Sequence, residues 1–134
     1  MDASEQRIAE RACERLVIDY AALNDAGDWG GVAALYVENG RLSRPTTPDD
    51  FIEGRSAILA AFIDRPQRQT RHICANIRVT IEEENAASIS SQILLFTSAD
   101  QMPLVGTYTD KCVRTGEGWR FAERRGSLDF PKSE

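Results

Sequence analysis

Groups able to exchange a proton at neutral pH are scarce in this chain: among its 134 residues only one, His72, is a histidine. The three cysteines, Cys13, Cys74 and Cys112, lie far apart, form no C-x-x-C pair and are odd in number. That spacing speaks against a disulfide framework and reads as three reduced, mostly buried thiols in a reducing compartment. One histidine and scattered cysteines fall short of the nitrogen and sulfur ligands a zinc ion requires, so no metal is expected. No apolar run approaches the ~20 residues of a membrane span. The acidic start, Met1 to Glu5, lacks the basic-then-apolar order of a secretion signal. A cytoplasmic location and no membrane partner are therefore expected.

Concentrated positive charge is missing as well. Lysine and arginine number 16 against 21 acids, a formal net charge of −5. Arg65, Arg68 and Arg71 are separated by polar residues. Nucleic-acid binding needs clustered cations to displace counterions and is not expected. A small neutral or anionic organic ligand suits the chain better. No phosphate-cradling glycine loop, internal repeat or Pro/Ser-rich linker occurs, and no cofactor is required.

What is present suffices for one domain over residues 1–134, with a hydrophobic fraction of 42% to build a core. Asp2-x-x-Glu5 resembles a capping box, and Ile8, Ala12, Leu16, Tyr20 and Leu23 then recur near helical spacing up to a stop at Gly27. Asp28 suits the N-cap of a short second helix through Tyr36, weakened by Gly30-Gly31. A short strand is expected at Arg41 to Ser43, then a loop, then a third helix from Gly54 to Arg65 ended by Pro66. Beyond residue 70 the period becomes two, and four strands follow as a meander, the last from Trp119 to Arg125. The fold class is therefore α+β: three N-terminal helices bury their stripes on a curved antiparallel sheet, leaving a cone with a pocket at its open end. Trp29, Phe62, Trp119 and Phe121 are expected in the core. Leu128-Asp129-Phe130-Pro131 is expected to cap the pocket mouth.

Two residues carry the chemistry. Asp25 closes the first helical run and His72 heads the first long strand. Brought together, they form a dyad in which a carboxylate orients an imidazole whose ordinary pKa is about 6.5. Strict alternation would instead place His72 with Asn76, Arg78 and Thr80, away from the isoleucines. A β-bulge between Cys74 and Ile77 reverses that parity and is predicted here. Asp25 has an alternative as a turn residue, and Asp28 fits better as a helix cap. Tyr108 and Asp110 share a strand face that lines the pocket or meets solvent. Tyr20 lies near enough to Asp25 to reach the pocket or to pack in the core. Arg124 or Arg125 can meet an anionic ligand, solvent or a dimer partner.

These features resemble the SnoaL-like branch of the nuclear transport factor 2-like superfamily. The carriers are Tyr20-(x4)-Asp25-(x2)-Asp28-Trp29, Arg71-His72-(x3)-Asn76, Gly106-Thr107-Tyr108-Thr109-Asp110 and Gly118-Trp119-Arg120-Phe121-(x2)-Arg124. The resemblance implies a conical α+β barrel that dimerises through its sheet. The arrangement is most similar to scytalone dehydratase, bile-acid dehydratase and hexachlorocyclohexane dehydrochlorinase, whose aspartate and histidine positions match Asp25 and His72. It implies a lyase or isomerase that abstracts a proton from a largely apolar ring or polyketide-like substrate. Where scytalone dehydratase has a second pocket histidine this chain has Thr97, and two of its pocket tyrosines are replaced by Asn24 and Arg44. The same fold implies two alternatives: polyketide cyclase or ketosteroid isomerase-like proton transfer with Tyr20, Tyr108 and Asp110, or a non-catalytic module such as a dioxygenase β subunit.

Overall fold

The computed structural model describes residues 1–130. Helix α1 (Ala3–Ala26) starts where the Asp2 carboxylate accepts from the Glu5 backbone N–H at 2.8 Å. It ends at Gly27, whose φ of 72° is the left-handed conformation that glycine adopts without a Cβ clash. Its inward stripe runs Ala9, Cys13, Leu16, Val17, Tyr20 and Asn24. All but Asn24 are apolar or aromatic, so the helix lies along the sheet with a single polar group at the end of its buried face.

Helix α2 (Trp29–Ala33) is capped by Asp28, which accepts from Gly31 N–H at 2.9 Å. It is shorter than the sequence suggests. Tyr36, expected at its end, instead opens strand β1 (Tyr36–Ser43). Sheet pairing wins over a glycine-weakened helix: the Phe121 N–H donates to Leu35 O at 2.8 Å and ties the segment to the last strand. Strand β2 (Ile52–Glu53), not anticipated, pairs with β1. Helix α3 (Arg55–Ile63) buries Ile58 and Phe62.

Four long strands follow: β3 (Arg71–Glu83), β4 (Ala86–Phe96), β5 (Leu104–Thr115) and β6 (Gly118–Phe130). They form the expected meander in a six-stranded sheet of order β2-β1-β6-β5-β4-β3. The sheet is mixed rather than wholly antiparallel, because β1 runs parallel to β6. A pattern of alternation identifies a strand but carries no information on its partner's direction.

Two irregularities decide which side chains face inward. In β3 the register shifts between Ala75 and Arg78, and Asn76 has a φ of 53°. The bulge lies where it was expected between Cys74 and Ile77. It puts His72 and Cys74 on the same face as Ile77, Val79 and Ile81, while Ile73 turns outward and is 44% exposed. A second shift faces Lys111 and Cys112 across β6, so that Phe121 and Arg124 are both buried although three positions apart.

The core lies between α1 and the sheet. Tyr20 is its centre, with the rings of Tyr36, Phe62, Tyr108 and Phe121 edge-on around it at centroid distances of 5.9–6.4 Å. Trp119, Phe62 and Phe121 are buried as expected, and Trp29 stacks on Phe62 at 5.3 Å.

Candidate active site

Antiparallel alternation brings the end of α1, the start of β3, the end of β4, the start of β5 and the end of β6 to one rim. A cavity of about 200 Å3 opens there. Tyr20 and Asn24 enter it from α1, and His72 from β3. Ile93, Leu95, Leu104 and Tyr108 supply much of its apolar wall. Leu128 closes one side; Phe130 is exposed and Pro131 lies outside the described residues.

The Asp25 carboxylate sits behind His72. Its Oδ1 lies 2.5 Å from His72 Nδ1, and its Oδ2 accepts the His72 backbone N–H at 2.9 Å. Thr70, buried just before β3, donates its hydroxyl to Oδ1 at 3.0 Å. The guanidinium of Arg71, mostly exposed, stands 4.0 Å from Oδ2. With Nδ1 facing a carboxylate, the neutral ring carries its proton on Nδ1 and keeps the Nε2 lone pair free.

Several influences set the His72 charge. Burial pushes its pKa below 6.5; Asp25 pulls it up, and the nearby Arg65 and Arg68 push it down again. The net effect is downward, so the imidazole is an unprotonated base at neutral pH.

Three cations stand on the same cavity: Arg44 after β1, and Arg65 and Arg68 in the segment after α3. Arg44 and Arg65 flank the Phe62 ring, with guanidinium carbons 5.3 and 5.2 Å from its centroid. In the sequence Arg65 and Arg68 stand out only as positive charges separated by polar residues. They lie outside regular elements, where no periodicity reports facing. Thr70 was likewise without a sequence signal.

Two expected lining residues do not line the cavity. Asp110 shares the Tyr108 face but lies deeper, completely buried, where Arg124 donates to its two oxygens at 2.8 and 3.3 Å. The Arg124 guanidinium also lies 3.9 Å from the Tyr108 ring centroid and 4.4 Å from that of Tyr20. This ion pair belongs to the floor beneath the cavity, and Arg124 is shielded from solvent. Thr97 follows the end of β4, where its hydroxyl donates to Gln101 Oε1 at 3.2 Å.

Tyr20 and Tyr108 keep their protons: burial holds both phenols above their usual pKa. Tyr36 donates to the Tyr20 oxygen at 3.2 Å. The Asn24 side-chain oxygen is buried without a partner among the described residues. Among the described residues no three His, Cys, Asp or Glu side chains converge as a metal site would require. Among the described residues no helix is long and apolar enough to cross a membrane.

The SnoaL-like domain model matches residues 5–125, and the chain belongs to that family. Among solved structures, it is similar to a protein provisionally assigned as a scytalone dehydratase from Novosphingobium aromaticivorans, at 25% identity and a TM-score of 0.82, over 96% of this chain and 89% of that one. An NTF2-like protein with a cystatin-like fold from the same organism matches at 22% identity and a TM-score of 0.81, over 98% and 90%. A type-3 hexachlorocyclohexane dehydrochlorinase from Novosphingobium barchaimii shares 13% identity at a TM-score of 0.83, over 96% and 92%. The last two likenesses are of fold alone. No curated protein sequence matches the chain.

Proposed function

We propose that this protein is a cofactor-independent lyase, with His72 as the catalytic base and Asp25 as its orienting partner. The observation that carries the reading is the Asp25 Oδ1 to His72 Nδ1 contact of 2.5 Å, on a residue whose other ring nitrogen is left to the cavity. The His72 Nε2 takes a proton from a carbon next to a carbonyl. The freed electron pair forms the carbon–carbon double bond as a hydroxide or halide departs from the adjacent carbon with its bonding pair. If hydroxide leaves, the imidazolium returns the proton and water is released; Asp25 stabilises the transient cation. Tyr20, Asn24, Arg44 and Tyr108 bind the substrate. The elimination chemistry of the dehydratase-type and dehydrochlorinase neighbours supports this choice within the family.

The geometry favours elimination over an isomerase scheme in which a protonated Asp110 donates to an oxyanion. Arg124 occupies both Asp110 oxygens and keeps them out of the cavity. The same proposal includes a homodimer through the outer sheet face, where Ile73 pairs with Leu94 and Phe96 is exposed, and a cytoplasmic location, which suits three free thiols.

The test is a panel of single-ring β-hydroxy and β-chloro carbonyl compounds, followed by alkene absorbance. Turnover by the wild type and a loss of at least ~100-fold in His72→Gln are expected. Undiminished turnover in folded His72→Gln contradicts the role of the base. Absence of turnover across the panel, with stable capture of a partner subunit, returns the non-catalytic module.

A further inference from the structure

A chain of net charge −5 has gathered Arg44, Arg65 and Arg68 on one cavity with no carboxylate in its lining among the described residues. None of the three forms an ion pair among the described residues. Arg124, the fully buried cation beneath the cavity, has one with Asp110. The Nε and Nη2 of Arg44 are buried without an acceptor among the described residues. Buried charged donors lose the solvation of water and are costly unless an acceptor replaces it. Asp25, the nearest acid of the site, accepts from Thr70 and twice from His72, so its oxygens are committed elsewhere.

How Arg44 is held strengthens the point. The next residue, Pro45, packs into a gap left by Gly126, where a Cβ would stand 2.6 Å from the Pro45 backbone nitrogen. This close approach seats the end of β1 over the sheet and carries Arg44 into the cavity. A guanidinium so placed offers a planar fork matched to a carboxylate. Ile93, Leu95, Leu104 and Leu128 make one side of the wall apolar, and the space of about 200 Å3 is of the size that encloses one six-membered ring, since about 150 Å3 suffices for benzene.

We propose that Arg44, supported by Arg65 and Arg68, is a carboxylate-binding site, and that the substrate is therefore a single-ring organic acid; the word substrate rests on the lyase reading above, the binding site does not. The anion is held by Arg44 while the ring lies against Ile93, Leu95 and Tyr108. His72 then addresses a ring carbon rather than the acid group. Crowding of like charge supports the assignment: burial, Arg68 and Arg44 all push the Arg65 pKa down, and an anion relieves the last two.

The probes are benzoate and its uncharged analogue benzamide, titrated by calorimetry into the wild type, Arg44→Gln, Arg44→Lys, Arg68→Gln and His72→Gln. Benzoate is expected to bind at least about tenfold more tightly than benzamide, the scale of one charge-assisted hydrogen bond. Arg44→Gln abolishes the preference, Arg44→Lys retains part of it and Arg68→Gln weakens it. Bound benzoate also raises the His72 pKa, by adding negative charge beside Arg65 and Arg68; benzamide does not. His72→Gln keeps the preference, so a failed lyase assay and a failed anion site give different results. Equal binding of the two probes, no binding of benzoate, or benzoate binding indifferent to both glutamine substitutions overturns the proposal. Arg68 is exposed, so its substitution decides the matter even if Arg44→Gln unfolds.

Discussion

Asp25 grips His72 at two points, its Oδ1 2.5 Å from the ring Nδ1 and its Oδ2 2.9 Å from the backbone nitrogen. A carboxylate that holds both the ring and the main chain fixes the first residue of β3 against the last turn of α1. The grip leaves the ring no freedom to rotate its Nε2 away from the cavity. Thr70 completes the cradle from the residue before the strand. Tautomer and direction are thus set by one side chain.

The bulge at Asn76 decides whether that grip exists. Deleting Asn76 restores regular alternation and turns His72 and Cys74 to the outer face, or else Ile77, Val79 and Ile81. Loss of activity and of the His72 pKa shift, with a large drop in stability, is expected on thermal unfolding. Asn76→Gly, which accepts the φ of 53°, retains both. A deletion variant with wild-type stability and a protected His72 contradicts the role given to the bulge.

Stability depends on pH through His72 with a definite sign. Burial lowers its folded pKa below the unfolded value near 6.5. The unfolded chain therefore takes up the proton first as pH falls. The stability tied to the neutral ring is complete above about pH 6.5 and is lost as pH drops through the folded pKa. Urea unfolding of wild type and His72→Gln checks this: their difference is flat above pH 7 and turns against the wild type in acid. Activity follows the same group, rising with pH about a midpoint below 6.5.

The Asp110–Arg124 pair is a structural element of the floor. Arg124→Met leaves a carboxylate in a site with no exposure and is expected to cost about 3–5 kcal/mol in urea unfolding. Replacing both, as Asp110→Asn with Arg124→Met, recovers part of that loss. A single substitution within about 0.5 kcal/mol of wild type contradicts the assignment.

Gly126 seats Pro45. Gly126→Ala forces a Cβ against the Pro45 backbone and is expected to cost about 1–3 kcal/mol as an overpacked contact. Because Arg44 precedes Pro45, benzoate binding weakens in the folded variant as well. Unchanged stability and unchanged benzoate affinity would show that the loop is not held there.

Much of this architecture is written in local patterns. The caps at Asp2, Gly27 and Asp28 bound their helices because each satisfies backbone groups within its own segment. The bulge after Cys74 is legible because Ile77, Val79 and Ile81 and His72 cannot share a face without it. What escapes the sequence depends on distant partners. The parallel pairing of β1 with β6 lengthens a strand that Arg41 to Ser43 alone suggest is short. Arg124 turns inward through an irregularity opposite Lys111 and Cys112 that no alternation announces. Arg65 and Arg68 reach the cavity from an irregular segment, where spacing has no meaning for facing. The electropositive character of the cavity is therefore a property of the fold and invisible in a net charge of −5.

The most direct measurement uses the fact that the chain has one histidine. Nitrogen-detected NMR titration gives the tautomer and pKa of His72 in wild type, Asp25→Asn and Arg65→Gln without assignment. The wild type should show a single neutral tautomer protonated on Nδ1, with a pKa below 6.5. Asp25→Asn should lower the pKa further and release the tautomer, and Arg65→Gln should raise it, since the two partners act in opposite directions. A pKa near 6.5 with mixed tautomers, identical in all three proteins, would mean that His72 is free in solution and that no dyad exists.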